Sequence, residues 1–439
     1  MFYNRNTTFR VLAVVAGMCA LMACEKLNFS NPNSPDLSSA SVQALVSGAE
    51  GTLRSDLDIF IQATMTLGRE GYFFEPADPR FTGELIFGPV DPGGFLSQRP
   101  WNSGYQVVFN CNQLLTRAAN LSGEQAAGIE GFAKTIRAYQ LMQIVGYVDE
   151  DAQGRSIRLN FDGDLSKPFA SRSDAFDFIK SDLDAALTAL NNAGSAFSFK
   201  LSGGFSGFDT PSTFAKFNRA IMARAQVYTG NFSGALTALG QSFLDPGGDL
   251  NTGVYRVYST AANDQTSPVF EAPTTPGLKL HAHMSFVADA EPGDLRVSSK
   301  TFKRSAVDKF DGLESDRAVI LSFGDGDYSS TSRYPIIRNE ELILLRAEAN
   351  VGLGNFSDAE ADMNIVRAAA GLAGYTGTDA TNGLDRVLHE KRYSLFGEGH
   401  RWIDMRRYGK LNELPIDRPD RGDKVIPHME IPSDEIAGQ

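Results

Sequence analysis

Apolar residues recur at three- and four-residue steps along most of this chain, a spacing that predicts helices. The pattern runs from Val42 to Leu53, from Trp101 to Leu121 and from Gly128 to Val148. A further segment, capped at Ser173-Asp174, carries Phe176, Ile179, Leu183, Ala186, Leu187 and Leu190 on one face. Pro211 opens the next helix, which ends at Gly230, and helical spacing returns from Ile337 to the region of Lys410. Two stretches interrupt the pattern: a Gly-, Pro- and aromatic-rich loop from Gly68 to Pro100 and a Gly/Ser/Phe loop from Asn191 to Thr210. Residues 241–335 are dense in Gly, Pro, Asp and Thr with weak periodicity, and read as long loops with a few short strands.

The N-terminus follows a different rule. Arg5 and Arg10 precede Val11–Ala23, an uncharged run of 13 residues that suits a signal-peptide core and is too short to span a bilayer. Leu21-Met22-Ala23-Cys24 ends it with a small residue directly before a cysteine, the arrangement of a bacterial lipoprotein signal. Residues 1–23 are therefore expected to be removed and Cys24 to be acylated; the alternative is a plain secretory signal with an incidental cysteine. Several acyl chains on one sulfur would make a durable anchor. Residues 24–41, including the Pro-interrupted Asn31–Ser41, read as a tether, with a single domain from 42 to 439.

Loss of residues 1–23 takes away Arg5 and Arg10 and no acid, moving the formal charge from −12 to −14. Such a surface repels phosphate backbones and argues against nucleic-acid binding. Cys111 would be the only free thiol left in the mature chain, so no internal disulfide can form and a large apolar core must hold the fold.

An internal repeat sharpens the helical reading. Ala225-Gln-Val-Tyr-Thr-Gly230-Asn231-Phe232-Ser233-Gly-Ala235 matches Ala349-Asn-Val-Gly-Leu-Gly354-Asn355-Phe356-Ser357-Asp-Ala359 at an offset of 124. Each ends a helix at a glycine and restarts another, as in a tetratricopeptide-type hairpin; the wide offset implies diverged hairpins or insertions between them. The expected fold is all-α: a tetratricopeptide-like helical-repeat superhelix, with repeats over about 42–240 and 336–410 and a loop-rich insertion over about 241–335.

The C-terminal third carries longer motifs. Arg338-Asn-Glu-Glu341-Leu-Ile-Leu-Leu-Arg346-Ala347-Glu348-Ala349 is followed by Ala361-Asp-Met-Asn364-Ile-Val-Arg367-Ala-Ala-Ala-Gly371. Next come His389-Glu390-Lys391-Arg392-Tyr-Ser-Leu395-Phe396-Gly397-Glu398-Gly399-His400-Arg401-Trp402-Ile-Asp404-Met-Arg406-Arg407 and the closing Glu430-Ile431-Pro432-Ser433-Asp434-Glu435-Ile436. With Trp101–Tyr105, Lys134–Tyr139, Asp182-Leu183 and Lys216–Ala225, this series resembles the SusD/RagB family of outer-membrane nutrient-binding lipoproteins. Ser394 stands where that family usually has Glu and Lys391 where it usually has Arg, and the chain ends at Gln439 where many members continue. The resemblance implies a surface-facing, lipid-anchored, non-enzymatic receptor. It would capture an oligosaccharide or other nutrient and pass it to a SusC-like TonB-dependent transporter, with no cofactor.

Glu390, Glu398 and Asp404 lie among Lys391, Arg392, Arg401, Arg406 and Arg407. Guanidinium neighbours keep carboxylates ionised and unfit as general acids. Glu390, Arg392, Glu398, Arg401, Asp404 and Arg407 are therefore expected to form a structural ion-pair lattice, with i,i+3 pairs Glu398–Arg401 and Asp404–Arg407 and with Trp402 in the core. His281, His283, Asp289, Glu291 and Asp294 are polar loop residues rather than metal ligands on this reading, and Asp325-Gly326-Asp327 lacks the rest of a calcium loop, so no metal is expected.

Sugars stack their C–H faces on aromatic rings and share hydrogen bonds with polar side chains. The cluster that best offers both is Tyr72, Asp78, Arg80, Phe81, Trp101 and Asn102, the candidate ligand residues; Phe73 and Tyr105 read as core, and His281 with Arg296 as a second patch. The competing readings are a surface glycan hydrolase and a protein-interaction scaffold without a small ligand.

Overall fold

Ridges of apolar side chains at helical spacing find their partners mainly in sequence order. The computed structural model describes residues 40–324, 326 and 328–437. The signal peptide, Cys24 and all but the end of the tether lie outside the described residues, as do Asp325 and Asp327. From Val42 onward the chain forms one unit. Its longer helices are α1 (Val42–Thr52), α2 (Leu57–Leu67), α3 (Phe95–Ala118), α4 (Gly123–Val148), α5 (Arg172–Asn191), α6 (Pro211–Tyr228) and α7 (Phe232–Gly240). After an insert follow α8 (Asn339–Gly352), α9 (Phe356–Ala369), α10 (Gly383–Ser394) and α11 (Arg401–Arg407). Successive helices from α3 to α7 pack on one another, α8 continues the stack against α6 and α7, and α9 and α10 pack on α8. This is the expected helical-repeat superhelix. None of these helices is long and apolar enough to cross a membrane.

Local chemistry places the boundaries. Helix α5 is capped by Ser171, two residues earlier than Ser173, because the Ser171 side chain accepts the Asp174 N–H. Pro211 opens α6 as expected, with Thr210 and Thr213 closing a reciprocal cap. Helix α3 begins at Phe95 and so contains Pro100, which cannot donate to the Leu96 carbonyl. The Tyr147 hydroxyl from α4 donates to that carbonyl at 2.8 Å, which lets the helix run through the proline.

The two repeat turns hold as read. Gly230 and Gly354 have φ of 72° and 79°, and each ends one helix and starts the next. Because α8 packs on both α6 and α7, the hairpins α6–α7 and α8–α9 are neighbours in space. The offset of 124 is thus an insertion, not a series of diverged hairpins.

That insert contains more strand than its sequence suggests. Together with β1 (Gly71–Phe73) from the loop before α3, strands β2 (Gly253–Arg256), β3 (Leu280–Ala282), β4 (Thr301–Phe310), β5 (Leu313–Val319) and β6 (Tyr334–Arg338) make two antiparallel sheets. One has the order β1-β3-β5-β4, the other pairs β2 with β6. Most of β4 is exposed, so it has no buried face to impose the two-residue alternation that marks a strand. The insert is nailed to the body by an apolar cluster. Leu57, Ile61 and Met65 of α2 meet Tyr255, Phe286, Val319, Phe323, Tyr334, Tyr393 and Phe396 there.

Close packing of the repeats generates a direct test. A Cβ on Gly352 at the end of α8 would lie 2.2 Å from the ring of Phe232 at the start of α7. Gly352→Ala should destabilise the protein by about 1–3 kcal/mol in urea unfolding, and Phe232→Ala in the same chain should recover part of that loss. Additive losses would show that the two hairpins do not touch there.

Candidate ligand-binding site

The structure separates the aromatic cluster predicted from sequence into core and surface. Trp101 is 2% exposed, packed against Tyr105 and Phe169, and the hollow beside it has a volume of about 30 Å³, room for one water and no sugar ring. Tyr72 and Phe81 are also buried, Tyr72 stacked on Phe74 within the sheet region and Phe81 against Phe73 and Phe95. These three rings are structural, because their apolar faces are taken by neighbours distant in sequence. His281 and Arg296, read as a surface patch, are buried as well. Phe73 and Tyr105, read as core, are only partly buried. What stays at the surface is polar. Asn102 is exposed, and Asp78 grips Arg80 with two bonds of 2.8 and 2.6 Å while the guanidinium lies 4.3 Å over the Phe95 ring.

The charged C-terminal motif is a buried lattice wider than its sequence indicates. Glu390 bridges Arg296 at 2.6 Å and Arg367 at 2.7 Å. Glu398 pairs with Arg338 at 2.7 Å, and Arg338 also holds Glu340. Asp404 takes Lys391 at 2.7 Å and Arg407 at 2.8 Å, and Glu348 completes the square with the same two cations. Arg224 clamps Glu341 through two bonds of 2.6 and 2.7 Å. Arg392 reaches Asp289 at 2.8 Å.

One expected pair is absent. Glu398 does not meet Arg401, because Gly399 between them has φ 83° and α11 starts only at Arg401, so the helical i,i+3 spacing never applies. Arg401 donates instead to the Gly68 carbonyl at 3.0 Å. Asp404 and Arg407 do lie within α11 and pair as expected. Trp402 is fully buried and donates to the Ile426 carbonyl at 2.9 Å.

These partners decide the acid–base chemistry. Burial alone would raise the Asp404 carboxyl, but Lys391 and Arg407 outweigh it and hold it at about 2. Burial would likewise raise Glu340 and Glu341, yet Arg338 and Arg224 draw both below the usual range. Carboxylates held this way are permanent anions with no proton to give.

His281 and His283 are not arranged as a metal pair. His281 bonds the Leu278 carbonyl and His283 the Asp417 carboxylate. Glu291, His389 and Glu390 do converge, but Arg367 lies between the two carboxylates, 2.6 Å from Glu291 and 2.7 Å from Glu390, and occupies the place of a cation.

A concavity of about 450 Å³ opens where the turn after α6 meets the end of α11. Tyr228, Phe232 and Tyr408 supply rings, and Arg172, Arg406 and Asp149 supply polar groups. Asp149 fixes both arginines, at 2.8 Å to Arg172 and 3.0 Å to Arg406. Arg407 lies 4.4 Å over the Tyr408 ring, whose hydroxyl donates to Glu348 at 2.7 Å. Ring faces and fixed donors meeting in one hollow of small-molecule size make this the candidate site. The sequence reading missed it because Asp149, Arg172, Tyr228 and Arg406 come from four separate segments; only the aromatic residue beside each helix end hinted at it.

Residues 323–430, which carry most of the lattice, match the model of the SusD family. That stretch is a SusD-family segment. Among solved structures, the chain is similar to a surface glycan-binding protein A from Bacteroides thetaiotaomicron in complex with laminarihexaose. The TM-score is 0.68 at 15% identity over 90% of this chain and 97% of that one. A SusD superfamily protein from Bacteroides vulgatus gives 0.66 at 14% identity over 92% and 97%. A laminarin-binding SusD-like protein gives 0.64 at 18% identity over 91% and 97%. No curated protein matches the sequence. At these identities the likeness establishes the shared fold.

Two measurements check the lattice. Glu390→Ala takes one carboxylate from each of two buried guanidiniums, leaving Arg296 with Asp294 and Arg367 with Glu291, and should cost about 3–5 kcal/mol in denaturant unfolding, more than Glu398→Ala, which takes one carboxylate from Arg338 alone. Equal, small losses would mean the charges are not coupled. The second concerns Glu70, fully buried between α2 and β1, whose carboxyl is pushed up by burial to about 8 from 4.5. The folded state favours its neutral form, so that stability is complete below about pH 4.5 and is lost as pH rises through 8. Glu70→Gln should raise the Tm at pH 9 relative to the parent and leave it little changed at pH 5; the reverse order would place an ionised carboxylate at Glu70.

Proposed function

We propose that the protein is a cell-surface receptor that binds an oligosaccharide without turning it over and delivers it to a TonB-dependent outer-membrane transporter. On this reading Cys24 is lipidated and holds the receptor at the outer membrane. The observation that carries the binding role is the 450 Å³ hollow of rings and fixed arginines on a SusD-family scaffold. Similar structures include proteins whose ligands are laminarin and laminarihexaose, which supports a glycan as the ligand class. Sugar hydroxyls would bond Arg172 and Asp149, and a pyranose face would lie on the Tyr408 ring. Binding through a few such contacts is modest in affinity, which suits a receptor that must release its cargo.

A hydrolase reading has one feature in its favour. Glu50, pushed up by burial to about 7, and Asp264, held at about 2 by hydrogen bonds from Ser259 and Arg54, line one pocket of about 240 Å³. Both Glu50 oxygens, however, accept the Ser202 backbone N–H and one of them its hydroxyl, a structural tie for the loop before α6.

Retention of the mature protein on polysaccharide affinity gels tests the proposal. Tyr408→Ala should weaken retention at least tenfold, Tyr408→Phe and Arg80→Ala should leave it within about twofold, and no new reducing ends should appear. Loss of retention with Arg80→Ala alone would move the site to the Asp78–Arg80 surface. Turnover abolished by Glu50→Gln would establish the hydrolase.

A further inference from the structure

Lys300 ends the short helical turn Leu295–Lys300 just before β4 and lines a second hollow of about 250 Å³ with Asn251, Ser299, Ser322, Arg338 and Glu340. Its ammonium donates to the Ser394 carbonyl at 2.6 Å and lies 5.9 Å over the Phe323 ring. Among the described residues no carboxylate comes within ion-pair distance of it. Each neighbouring arginine is already matched, Arg296 by Asp294 and Glu390 and Arg338 by Glu340 and Glu398. A half-buried ammonium with spare N–H donors facing a polar hollow offers a charged donor to an acceptor, and an anion matches it best. The serine hydroxyls and the Asn251 amide around it match the hydroxyls that flank a carboxylate in an acidic sugar.

We propose that this hollow is a second binding site, which takes the carboxylate of an acidic sugar residue on Lys300. The sugar part rests on the glycan-receptor reading; the carboxylate part rests on Lys300 alone. Ligand would gain a charge-assisted hydrogen bond without breaking any existing ion pair. The site would give the receptor a preference for uronic-acid-bearing over neutral glycans, separate from the ring stacking at Tyr408. The surroundings of the free amine agree. Burial, with Arg338 close by, pushes it down to about 8, against the attraction of Glu398 and Glu340. At pH 7.5 roughly a quarter of such an amine is free base, against about one in a thousand for an ordinary lysine.

The test is chemical labelling of the intact protein at pH 7.5 with an amine-reactive reagent, read by peptide mass mapping. Lys300 should react at least tenfold faster than Lys303 once access is normalised in urea. Galacturonate should slow that reaction at least fivefold, and galactose, its neutral counterpart, should not. Calorimetry with galacturonate should show binding that is lost in Lys300→Met and kept in Lys300→Arg, with melting curves showing both variants folded. Protection by galactose to the same extent, or by neither sugar, would overturn the proposal. So would the appearance of galacturonate protection only in an Asp325→Asn/Asp327→Asn variant, because a carboxylate of the chain itself would then serve Lys300. Galacturonate protection together with failure to retain any polysaccharide would leave the carboxylate site standing and remove the glycan-receptor reading.

Discussion

Burying charge is costly unless the charge is paired, and the ion-pair lattice around α8, α10 and α11 is how this fold carries so much of it. Glu341, Glu348, Glu390 and Asp404 are all at most 2% exposed, and each faces at least one cation at 2.6–2.9 Å. Low-dielectric surroundings make each bond strong and each missing partner expensive, so the members stand or fall together. The lattice also reaches out of the helical body. Arg296, Asp294, Glu291 and Asp289 belong to the insert, and their bonds to Glu390, Arg367 and Arg392 fix that insert on α9 and α10. A segment with little helical or strand periodicity of its own is thereby given one position.

This arrangement separates support from recognition. Carboxylates pinned by guanidinium groups cannot exchange protons, so the densest charge in the chain is withdrawn from chemistry. The hollow beside Tyr228 and Tyr408 begins where the lattice ends: Arg407 is bonded inward to Asp404 and Glu348, while Arg172 and Arg406 are held at the rim by Asp149. Side chains fixed from behind present donors in set positions, which lowers the entropy lost when a ligand docks.

The helical body was legible in the sequence because its rules are local. Three- and four-residue spacing marked most of the helices, and the paired glycine turns at 230 and 354 marked the repeat. What was not legible depends on distant partners. The pairing of Glu398 with Arg338 instead of Arg401 joins residues 60 positions apart, and nothing in the local motif encodes it. Trp101 and Tyr72 have the composition of a sugar platform, yet their faces are covered by Phe169 and Phe74. An exposed aromatic and a buried one look the same in a sequence. Strand β4 failed for a related reason, since a ribbon open to solvent needs no alternation.

Two backbone irregularities are repaired by side chains from elsewhere in the chain. The Leu96 carbonyl orphaned by Pro100 is recovered by Tyr147, and the turn that separates Glu398 from Arg401 is compensated by the bond from Arg401 to Gly68. A polar group left unbonded in the interior costs about 1–3 kcal/mol, which is the scale of each of these two repairs. Among the described residues the half-buried Lys300 ammonium is bonded to a backbone carbonyl and to no carboxylate, which sets it apart from an ordinary surface lysine. Lys300 is flanked by arginines that each hold two carboxylates, and keeping it charged there opposes folding unless something else gains by it. A methionine of similar length would fill the same space without that penalty, and on the proposal above the amine is there for a partner that arrives from solution.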